Sequence, residues 1–297
     1  MDDKVNPTSN LDPVTFEVLR NAFVTVVDQM AEQVRRTCYS FVVYNRDFSN
    51  ALCDAKGNTV AQGNQDLAAH VGTLHYTCKA VIEEFGDDIY ENDVFLVNDP
   101  YVGGTHFSDT RVLVPIFIAG ELIAWSQANG HWADMGGSVP GSFDVSARDM
   151  FKEGIRIPPV KIWRRGEHCL DVAKLIAKNT RDPEAIIGDM DAQTQACKIA
   201  EREIQRLAEK YGVETIKTAF VDIQDYVERA VRRRLTELPD GSWETVDYVD
   251  RDPTAEEGMI PIRVKMTISD DAIEFDLAGS HPTIGSIYNC AYGGTFA

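Results

Sequence analysis

Two histidines and one aspartate lie in the two most turn-rich loops of the sequence. His106 and Asp109 form a His-x-x-Asp element at the end of the first loop, and His131 follows 25 residues after His106. Two imidazoles and a carboxylate suit Zn²⁺, Mn²⁺ or Fe²⁺ and leave positions open for water and substrate. The alternative is structural: His106 and Asp109 cap a loop and a turn, and His131 is an ordinary partly buried histidine. Such a short element by itself decides little, since it recurs outside metal sites.

Three further aspartates stand beside turn-forming residues. Asp47 precedes a predicted strand and is another candidate ligand; its alternatives are a salt bridge to Arg46 or a turn cap. Asp134 either orients a metal-bound imidazole from behind or anchors a glycine-rich turn. Asp99 precedes Pro100 and is predicted to form a turn rather than to bind a metal.

Other kinds of reactive site are missing from the sequence. It has no G-x-x-x-x-G-K-[ST] or G-x-G-x-x-G phosphate cradle and no G-x-S-x-G nucleophile elbow. If ATP is used, another chain should therefore bind it. Cys38, Cys53 and Cys78 stand in apolar surroundings, where a thiol is inert.

A predicted hairpin brings the candidate ligands together. Residues 111–118 and 121–128 have the β-branched and aromatic character of strands, with a turn at Ala119 and Gly120. Two antiparallel strands of this length return the chain to the level at which it started. We therefore expect His106, Asp109 and His131 to meet in space. Further strands are predicted at 48–53, 58–62 and 93–97, and the loop 98–106 is too rich in turn formers for regular structure.

Helices with clear start signals frame these strands. Asp12-Pro13 and Asp182-Pro183 each combine an N-cap with proline at the first helical position. The apolar spacing predicts helices over 13–39, 74–84, 183–211 and 214–238, with Gly212 ending the third and the last two forming an antiparallel pair.

After Gly241 the apolar pattern changes to period two, and the last residues, 292–297, supply no helix or strand. We predict an α+β fold: a metal-binding mixed α/β domain over residues 1–240 with a long antiparallel helix pair, then the beginning of a β-rich second domain over residues 241–297. The C-terminus is interpreted as a truncation.

Composition limits the possible partners and the compartment. The 297 residues include 29 basic and 47 acidic side chains, giving a net charge of −18, which disfavours nucleic acid and anionic lipid. No stretch is apolar enough for a membrane helix, and the basic run 232–234 is interpreted as a solvated helix end. Six scattered cysteines without a C-x-x-C pair, and no export signal, predict reduced thiols and a cytoplasmic protein.

Several collinear motifs resemble the hydantoinase B/oxoprolinase family, which includes hydantoinase, 5-oxoprolinase and caprolactamase subunits and relatives in acetone and acetophenone carboxylases. The resemblance covers essentially the whole chain and makes the metal site the preferred interpretation. The motifs that carry it are LDPVTFEV at 11–18, RDFS at 46–49, NDPY at 98–101, GGTH at 103–106 with Asp109, His131 with Ala133-Asp134 and Gly136-Gly137, and EGIRIPP at 153–159.

The resemblance implies a metal-dependent subunit that works in a hetero-oligomer with a hydantoinase A-type, ATP-binding partner. The partner, with ATP and Mg²⁺, would phosphorylate the amide oxygen of a hydantoin, 5-oxoproline or lactam ring, and a metal-activated water would then attack the carbon. Carried over by position, the ligands of one divalent ion (Zn, Mn or Fe) are His106, Asp109 and His131, with Asp47 as a further ligand or neighbour. Many relatives have a second histidine where this chain has Trp132.

Three alternatives to a cyclic amide hydrolase stay open at this point. The chain could belong to an ATP-dependent ketone carboxylase, in which the metal serves carbon–carbon bond formation. It could be a non-catalytic scaffold of such a complex. It could also be an independent metallohydrolase that needs no nucleotide.

Overall fold

The computed structural model describes residues 10–70, 72–250 and 258–296, and within these ranges the strands form two antiparallel sheets. The helices are α1 Pro13–Thr37, α2 Phe41–Tyr44, α3 Leu74–Phe85, α4 Leu170–Lys178, α5 Pro183–Tyr211, α6 Val213–Leu235 and α7 Tyr292–Phe296. The strands are β1 Phe48–Asp54, β2 Thr59–Gln62, β3 Val94–Val97, β4 Asp109–Ile118, β5 Glu121–His131, β6 Val160–Arg164, β7 Glu167–His168, β8 Gly241–Val249, β9 Ile260–Ser269 and β10 Ala272–Asp276. The predicted α+β class is confirmed.

The larger sheet is centred on the predicted hairpin. Its strand order is β2-β1-β5-β4-β3-β6-β7, and β4 pairs with β5 from Asp109 opposite His131 to Ile118 opposite Glu121. The turn residues Ala119 and Gly120 both have positive φ, at 51° and 82°, which matches the twist of a tight hairpin. The first residues of β1 and β4 and the last residue of β5 therefore lie side by side at one end of the sheet's central strands.

Helices cover both faces of this sheet. On one face, Val26, Met30 and Val34 of α1 pack with Met190 and other buried residues of α5. On the other face, buried residues of α3 pack against the sheet residues Phe95, Leu113 and Trp125. The first helix begins as predicted, because the Asp12 side chain accepts hydrogen bonds from the amides of Val14 and Thr15.

A long antiparallel helix pair is present, but its members differ from those predicted. The C-terminal end of α1 meets the N-terminal half of α5, where the amide of Tyr39 donates to Asp189. Helix α6 also runs antiparallel to α1, since Phe220 contacts Phe23 and the later Tyr226 contacts the earlier Phe16. It therefore runs in the same direction as α5. The antiparallel partner of α5 is thus α1, and the prediction that α5 pairs with α6 was wrong. Gly212, with φ of 88°, ends α5 as predicted.

The smaller sheet has the order β10-β9-β8 and corresponds to the predicted period-two segment. The division into domains at residues 240 and 241 stays a prediction. Two expectations of irregular structure were wrong. Residues 100–102 form one 3₁₀ turn, which Asp99 caps through the Tyr101 amide at 2.9 Å. A short helix, α7, forms where Tyr292 and Phe296 pack around Tyr76, and Ala297 lies outside the described residues. None of the helices in the described ranges is long and apolar enough to span a membrane.

Candidate metal centre

Three candidate ligands lie in a row because β1 and β4 begin, and β5 ends, at the same end of the sheet. Asp109 opens β4, His131 closes β5, and the two residues are directly opposed in the register. Asp47 immediately precedes β1, and its carbonyl accepts the His131 amide hydrogen at 3.0 Å. Directly opposed residues of antiparallel strands project on the same side of the sheet. The hairpin therefore places Asp109 and His131 side by side, as predicted.

His106 reaches this row from the preceding loop. The Asp109 amide donates to the His106 carbonyl at 3.1 Å, so the two residues of the His-x-x-Asp element share one turn. The Nε2 atom of His106 lies 3.3 Å from Oδ2 of Asp109. The Nδ1 atom of His131 lies 3.3 Å from Oδ2 of Asp47 and 3.7 Å from Oδ1 of Asp109. All four predicted ligands are thus brought together.

The four side chains differ in their access to water. Asp109 is 1% exposed and His131 is 13% exposed, whereas Asp47 is 31% and His106 is 42% exposed. Burial opposes ionisation of Asp109, but the hydrogen bond from His70 and the charge of neighbouring imidazoles hold its pKa below the usual value. Loss of hydration lowers the pKa of His106 despite the attraction of Asp109. A charged carboxylate beside a neutral imidazole is the protonation state that metal binding requires.

The unpaired buried atoms of these side chains, and their spacing, fit a divalent ion. Within the described ranges, Oδ1 of Asp47, Oδ1 of Asp109 and Nδ1 of His131 are buried without a hydrogen-bond partner. Buried polar atoms are normally paired, so three unpaired ones at one point call for an explanation. Ligand atoms of His106, Asp109 and His131 lie within 4.8 Å of one another, as do those of Asp47, His70 and Asp109. Nitrogen and oxygen donors of this kind suit Zn²⁺, Mn²⁺ or Fe²⁺.

Sequence reasoning missed His70, which lies behind Asp109. Its side chain is 3% exposed, and its Nε2 atom lies 3.2 Å from Oδ2 of Asp109. The residue ends a three-residue 3₁₀ turn between β2 and α3, where no periodic pattern marks it. A buried histidine separated by 39 positions from its carboxylate partner leaves no local signal in the sequence.

Asp134 and Trp132 have structural roles, whereas Asp47 faces another candidate ligand. Asp134 accepts hydrogen bonds from the amides of Gly136 and Gly141 and pairs with Arg181 at 3.1 Å, so it anchors the glycine turn and does not orient an imidazole. Trp132 is fully buried and donates its indole N–H to Gln193 at 2.7 Å. Asp47 faces His131 at 3.3 Å, the only ion-pair partner that the described residues give it.

Cys38 and Cys78, which the sequence predicts to be inert, both have a raised pKa. All six are free thiols. Burial raises the pKa of Cys38 to about 11 and that of Cys197 to about 12, and it raises the pKa of Cys78 as well. A thiol with such a pKa carries almost no thiolate at neutral pH.

A cavity of about 320 Å³ opens beside the ligands. His106, Phe143, Glu153 and Ile287 are among its lining residues, which combine apolar side chains with a few polar ones. Loss of hydration and the nearby charge of Asp149 raise the pKa of the Glu153 carboxyl. Such a mixed lining is typical of small-molecule sites.

The chain is an α+β protein with a seven-stranded antiparallel sheet covered by long helices. Two histidines and two aspartates at the ends of its central strands form a candidate metal site. The chain matches the hydantoinase B/oxoprolinase family over residues 12–297 and belongs to it. The family resemblance of its motifs is thereby confirmed.

Individual relatives show how far the similarity extends. The beta chain of the caprolactamase of Pseudomonas jessenii is 37% identical over 235 residues, covering 78% of this chain and 40% of that protein. The B-type component of a putative D-/L-hydantoinase of Pseudomonas sp. strain NS671 is 29% identical over 284 residues, covering 92% and 48%. The chain thus spans about half or less of the length of these relatives.

Solved structures agree on the fold. The crystal structure of ATP-dependent caprolactamase from Pseudomonas jessenii matches with a TM-score of 0.90 and 31% identity, covering 96% of this chain and 49% of that chain. A nucleotide-free acetone carboxylase structure matches with a TM-score of 0.85 at 22% identity, covering 91% and 37%, which shows the shared fold alone.

Proposed function

We propose that this chain carries the metal-dependent catalytic site of an ATP-dependent complex that hydrolyses a cyclic amide such as a hydantoin, 5-oxoproline or a lactam. The observation that carries the proposal is the convergence of Asp47, His106, Asp109 and His131 at three adjacent strand ends. Membership in the family, and similarity to components of a caprolactamase and a hydantoinase, support the reaction class.

The four side chains would hold one Zn²⁺, Mn²⁺ or Fe²⁺ ion. When bound, such an ion lowers the pKa of water and polarises an amide or phosphate oxygen, which removes the need for a serine or cysteine nucleophile. His106 lies at the boundary between the ligand cluster and the cavity, so substrate entering the cavity would meet the cluster at this side chain. Phe143 and Ile287 would pack against the ring of the substrate and exclude water. Glu153 would hold a proton more readily than an exposed glutamate.

ATP with Mg²⁺ would be bound by a hydantoinase A-type partner in a hetero-oligomer. The caprolactamase and hydantoinase relatives are themselves named as subunits, and the sequence of this chain has no nucleotide-phosphate motif. Six free thiols fit the reducing environment of the cytoplasm, the compartment that we propose for it.

The test measures metal content and turnover in the complex reconstituted with its ATP-binding partner. We expect about one equivalent of Zn, Mn or Fe in the wild type, and loss of both metal and hydrolysis in a His106→Ala/His131→Ala double variant. Asp109→Asn should abolish turnover and leave assembly intact, which separates a catalytic role from a scaffold role. A metal-free wild-type complex with full activity would refute the proposal.

A second assay identifies the substrate class. The complex is incubated with hydantoin, 5-oxoproline, caprolactam, or acetone with bicarbonate, each with and without ATP. Ring opening that requires ATP supports the proposal. Carboxylation of the ketone alone would place the chain in a carboxylase complex, and ring opening without ATP would make it an independent metallohydrolase.

A further inference from the structure

His70 is the buried titratable side chain nearest to the metal centre that the proposed function leaves without a role. Its ring lies between Asp109 on one side and Ser49 and Asn129 on the other. The Nδ1 atom of His70 is 2.9 Å from Oγ of Ser49 and 3.2 Å from Nδ2 of Asn129, and its Nε2 atom is 3.2 Å from Oδ2 of Asp109. Which nitrogen carries the proton decides what this ring can do.

The hydrogen bonds of Asn129, behind His70, favour one position for that proton. Arg111 is fully buried, and its Nε lies 3.2 Å from Oδ1 of Asn129. A guanidinium can only donate, so the Asn129 oxygen must face Arg111 and the Asn129 nitrogen must face His70. All the hydrogen-bonding groups of the guanidinium are donors, so Arg111 keeps the amide in this orientation. The Asn129 nitrogen is closer to Nδ1 of His70 than to Nε2, which is 3.5 Å away.

The consequence for the imidazole follows from the donor inventory. An amide nitrogen has hydrogens and no free lone pair, so Nδ1 of His70 has to accept from Asn129. The Ser49 hydroxyl accepts the Leu67 amide hydrogen at 3.1 Å, and its own proton has two acceptors within reach, the Phe48 carbonyl at 2.8 Å and Nδ1 of His70 at 2.9 Å, so it is Asn129 that decides the role of Nδ1. The neutral ring then carries its single proton on Nε2, directed at Oδ2 of Asp109.

We propose that His70 is a positioning residue: its Nε2–H group donates to Oδ2 of Asp109, fixes that carboxylate and leaves Oδ1 to the metal. Oδ2 of Asp109 also accepts the Thr105 hydroxyl, whereas Oδ1 is buried without a hydrogen-bond partner among the described residues. A carboxylate held in this way presents one oxygen in one direction, which is how groups behind the ligands tune metal sites. The inference rests on the proposed metal centre.

A competing role for His70 is metal ligation, because it forms a compact set with Asp47 and Asp109. Ligation through Nε2 needs a lone pair there, so the proton would have to move to Nδ1. An Nδ1–H group could donate to the Ser49 oxygen at 2.9 Å, but it would also face the Asn129 N–H group at 3.2 Å and take away the acceptor of that buried donor. Buried donors without acceptors are costly, so the network opposes ligation by His70.

The first test reads the tautomer directly. Long-range ¹H–¹⁵N correlation spectra are recorded on the chain labelled with ¹⁵N-histidine, metal-free and with one equivalent of Zn²⁺, and His70 is assigned by the signals lost in His70→Gln. We expect His70 to be protonated at Nε2 and unprotonated at Nδ1 in both states, while signals of His106 and His131 shift with Zn²⁺. A proton on Nδ1, or loss of the Nε2 proton on adding Zn²⁺, would overturn the inference. If Zn²⁺ shifts no histidine, the metal centre itself fails, even where the metal-free tautomer is as expected.

The second test compares Zn²⁺ affinities by competition with a chelator, together with the absorption spectrum of bound Co²⁺. His70→Leu removes the donor, and we expect about a 10- to 100-fold loss of affinity, as for other partners of metal ligands. His70→Gln keeps an N–H donor near the Nε2 position, so its affinity should stay within a few-fold of wild type with an unchanged Co²⁺ spectrum. The control is His168→Gln, because His168 stacks on Trp163 at the other edge of the sheet and should have no effect.

Two results would contradict the positioning role. Equal, severe losses in His70→Leu and His70→Gln, with a changed Co²⁺ spectrum in both, would indicate a ligand. Wild-type affinity in both variants would show that Asp109 needs no help from His70. If His70→Leu does not fold, the comparison of His70→Gln with wild type and the tautomer spectra still decide between these roles.

Discussion

Asp109 and His131 stand directly opposite each other as the first residue of β4 and the last residue of β5, with Oδ1 of Asp109 3.7 Å from Nδ1 of His131. This relationship is a product of strand pairing, because any shift of register by one residue would turn one of the two side chains to the opposite face of the sheet. The ten-pair register of the hairpin is therefore what holds a candidate carboxylate and a candidate imidazole together.

Asp47 completes this row, and its role as a ligand can be separated from a role in folding. Asp47→Asn keeps the shape of the side chain and removes its charge, so we expect Zn²⁺ affinity to fall by at least about 10-fold. The unfolding midpoint of the metal-free chain should change little, since Oδ1 of Asp47 has no hydrogen-bond partner and an amide N–H in place of Oδ2 can still donate to Nδ1 of His131, 3.3 Å away. Asp191→Asn, at an exposed position of α5, is the control. Unchanged Zn²⁺ affinity in Asp47→Asn would show that Asp47 is not a ligand and would leave His106, Asp109 and His131.

The loop that carries His106 depends on a glycine with a close backbone neighbour. Gly103 has φ of +93°, and a Cβ there would lie 2.6 Å from the Thr77 amide nitrogen of α3. Gly120 has a similar φ of +82°, but a Cβ there would meet nothing within 4 Å. We expect Gly120→Ala to cost about 1 kcal/mol from backbone strain, and Gly103→Ala to cost roughly 1–3 kcal/mol more because the loop must move. Urea unfolding of both variants measures the difference; equal losses would mean that the contact with α3 is unimportant.

Arg111 ties the same loop to the sheet. Its Nη1 donates to the carbonyls of Gly103 at 2.6 Å and Thr73 at 3.2 Å, and its Nη2 donates to the Thr73 hydroxyl at 2.6 Å. Arg111→Met removes these donors and leaves buried acceptors unpaired, so we expect a loss of roughly 3 kcal/mol or more of unfolding free energy. Arg206→Met removes an exposed pair with Glu203 and should cost less than about 1 kcal/mol. Similar midpoints for the two variants would contradict this account.

Much of the fold follows from local signals in the sequence, and the exceptions have a common cause. The N-caps at Asp12 and Asp182 and the turn at Gly120 placed two long helices and the central hairpin correctly. The pairing of α5 with α1 depends instead on which apolar helix faces pack together on one face of the sheet, and no local pattern specifies this. The short elements α2, α4, β6 and β7 were not predicted, because segments of two to nine residues carry little periodicity.

The candidate site divides in the same way. His106, Asp109 and His131 could be grouped from the sequence because one hairpin connects them, and Asp47 because it precedes a strand. His70 and Arg111 could not be found, since each acts through contacts with residues distant in the sequence. Buried polar residues of this kind become visible only when the donors and acceptors around them can be counted.

Asp66 should make the stability of the chain depend on pH. Its Oδ2 accepts the amide hydrogens of Asn50 at 3.1 Å and Gly63 at 3.0 Å, but burial and, to a lesser degree, the charge of Asp28 raise its pKa from 3.8 to about 7. Between these two pH values the folded chain binds more protons than the unfolded chain. The contribution of Asp66 therefore favours folding below about pH 4 and is lost as the pH rises toward 7.

Asp66→Asn tests this linkage because asparagine resembles the protonated acid and can still accept both amide hydrogens. The advantage of the variant over the wild type should begin above the unfolded pKa of 3.8 and be present at pH 5. It should grow by about 2–3 kcal/mol between pH 5 and pH 8, because about two pKa units separate pH 5 from the folded pKa of about 7 and one unit corresponds to about 1.4 kcal/mol. Urea unfolding at the two pH values measures the difference. Asp225→Asn, which removes an exposed carboxylate of α6, should keep the wild-type pH dependence. A decline between pH 5 and 8 that is as steep in Asp66→Asn as in the wild type would show that another group is responsible.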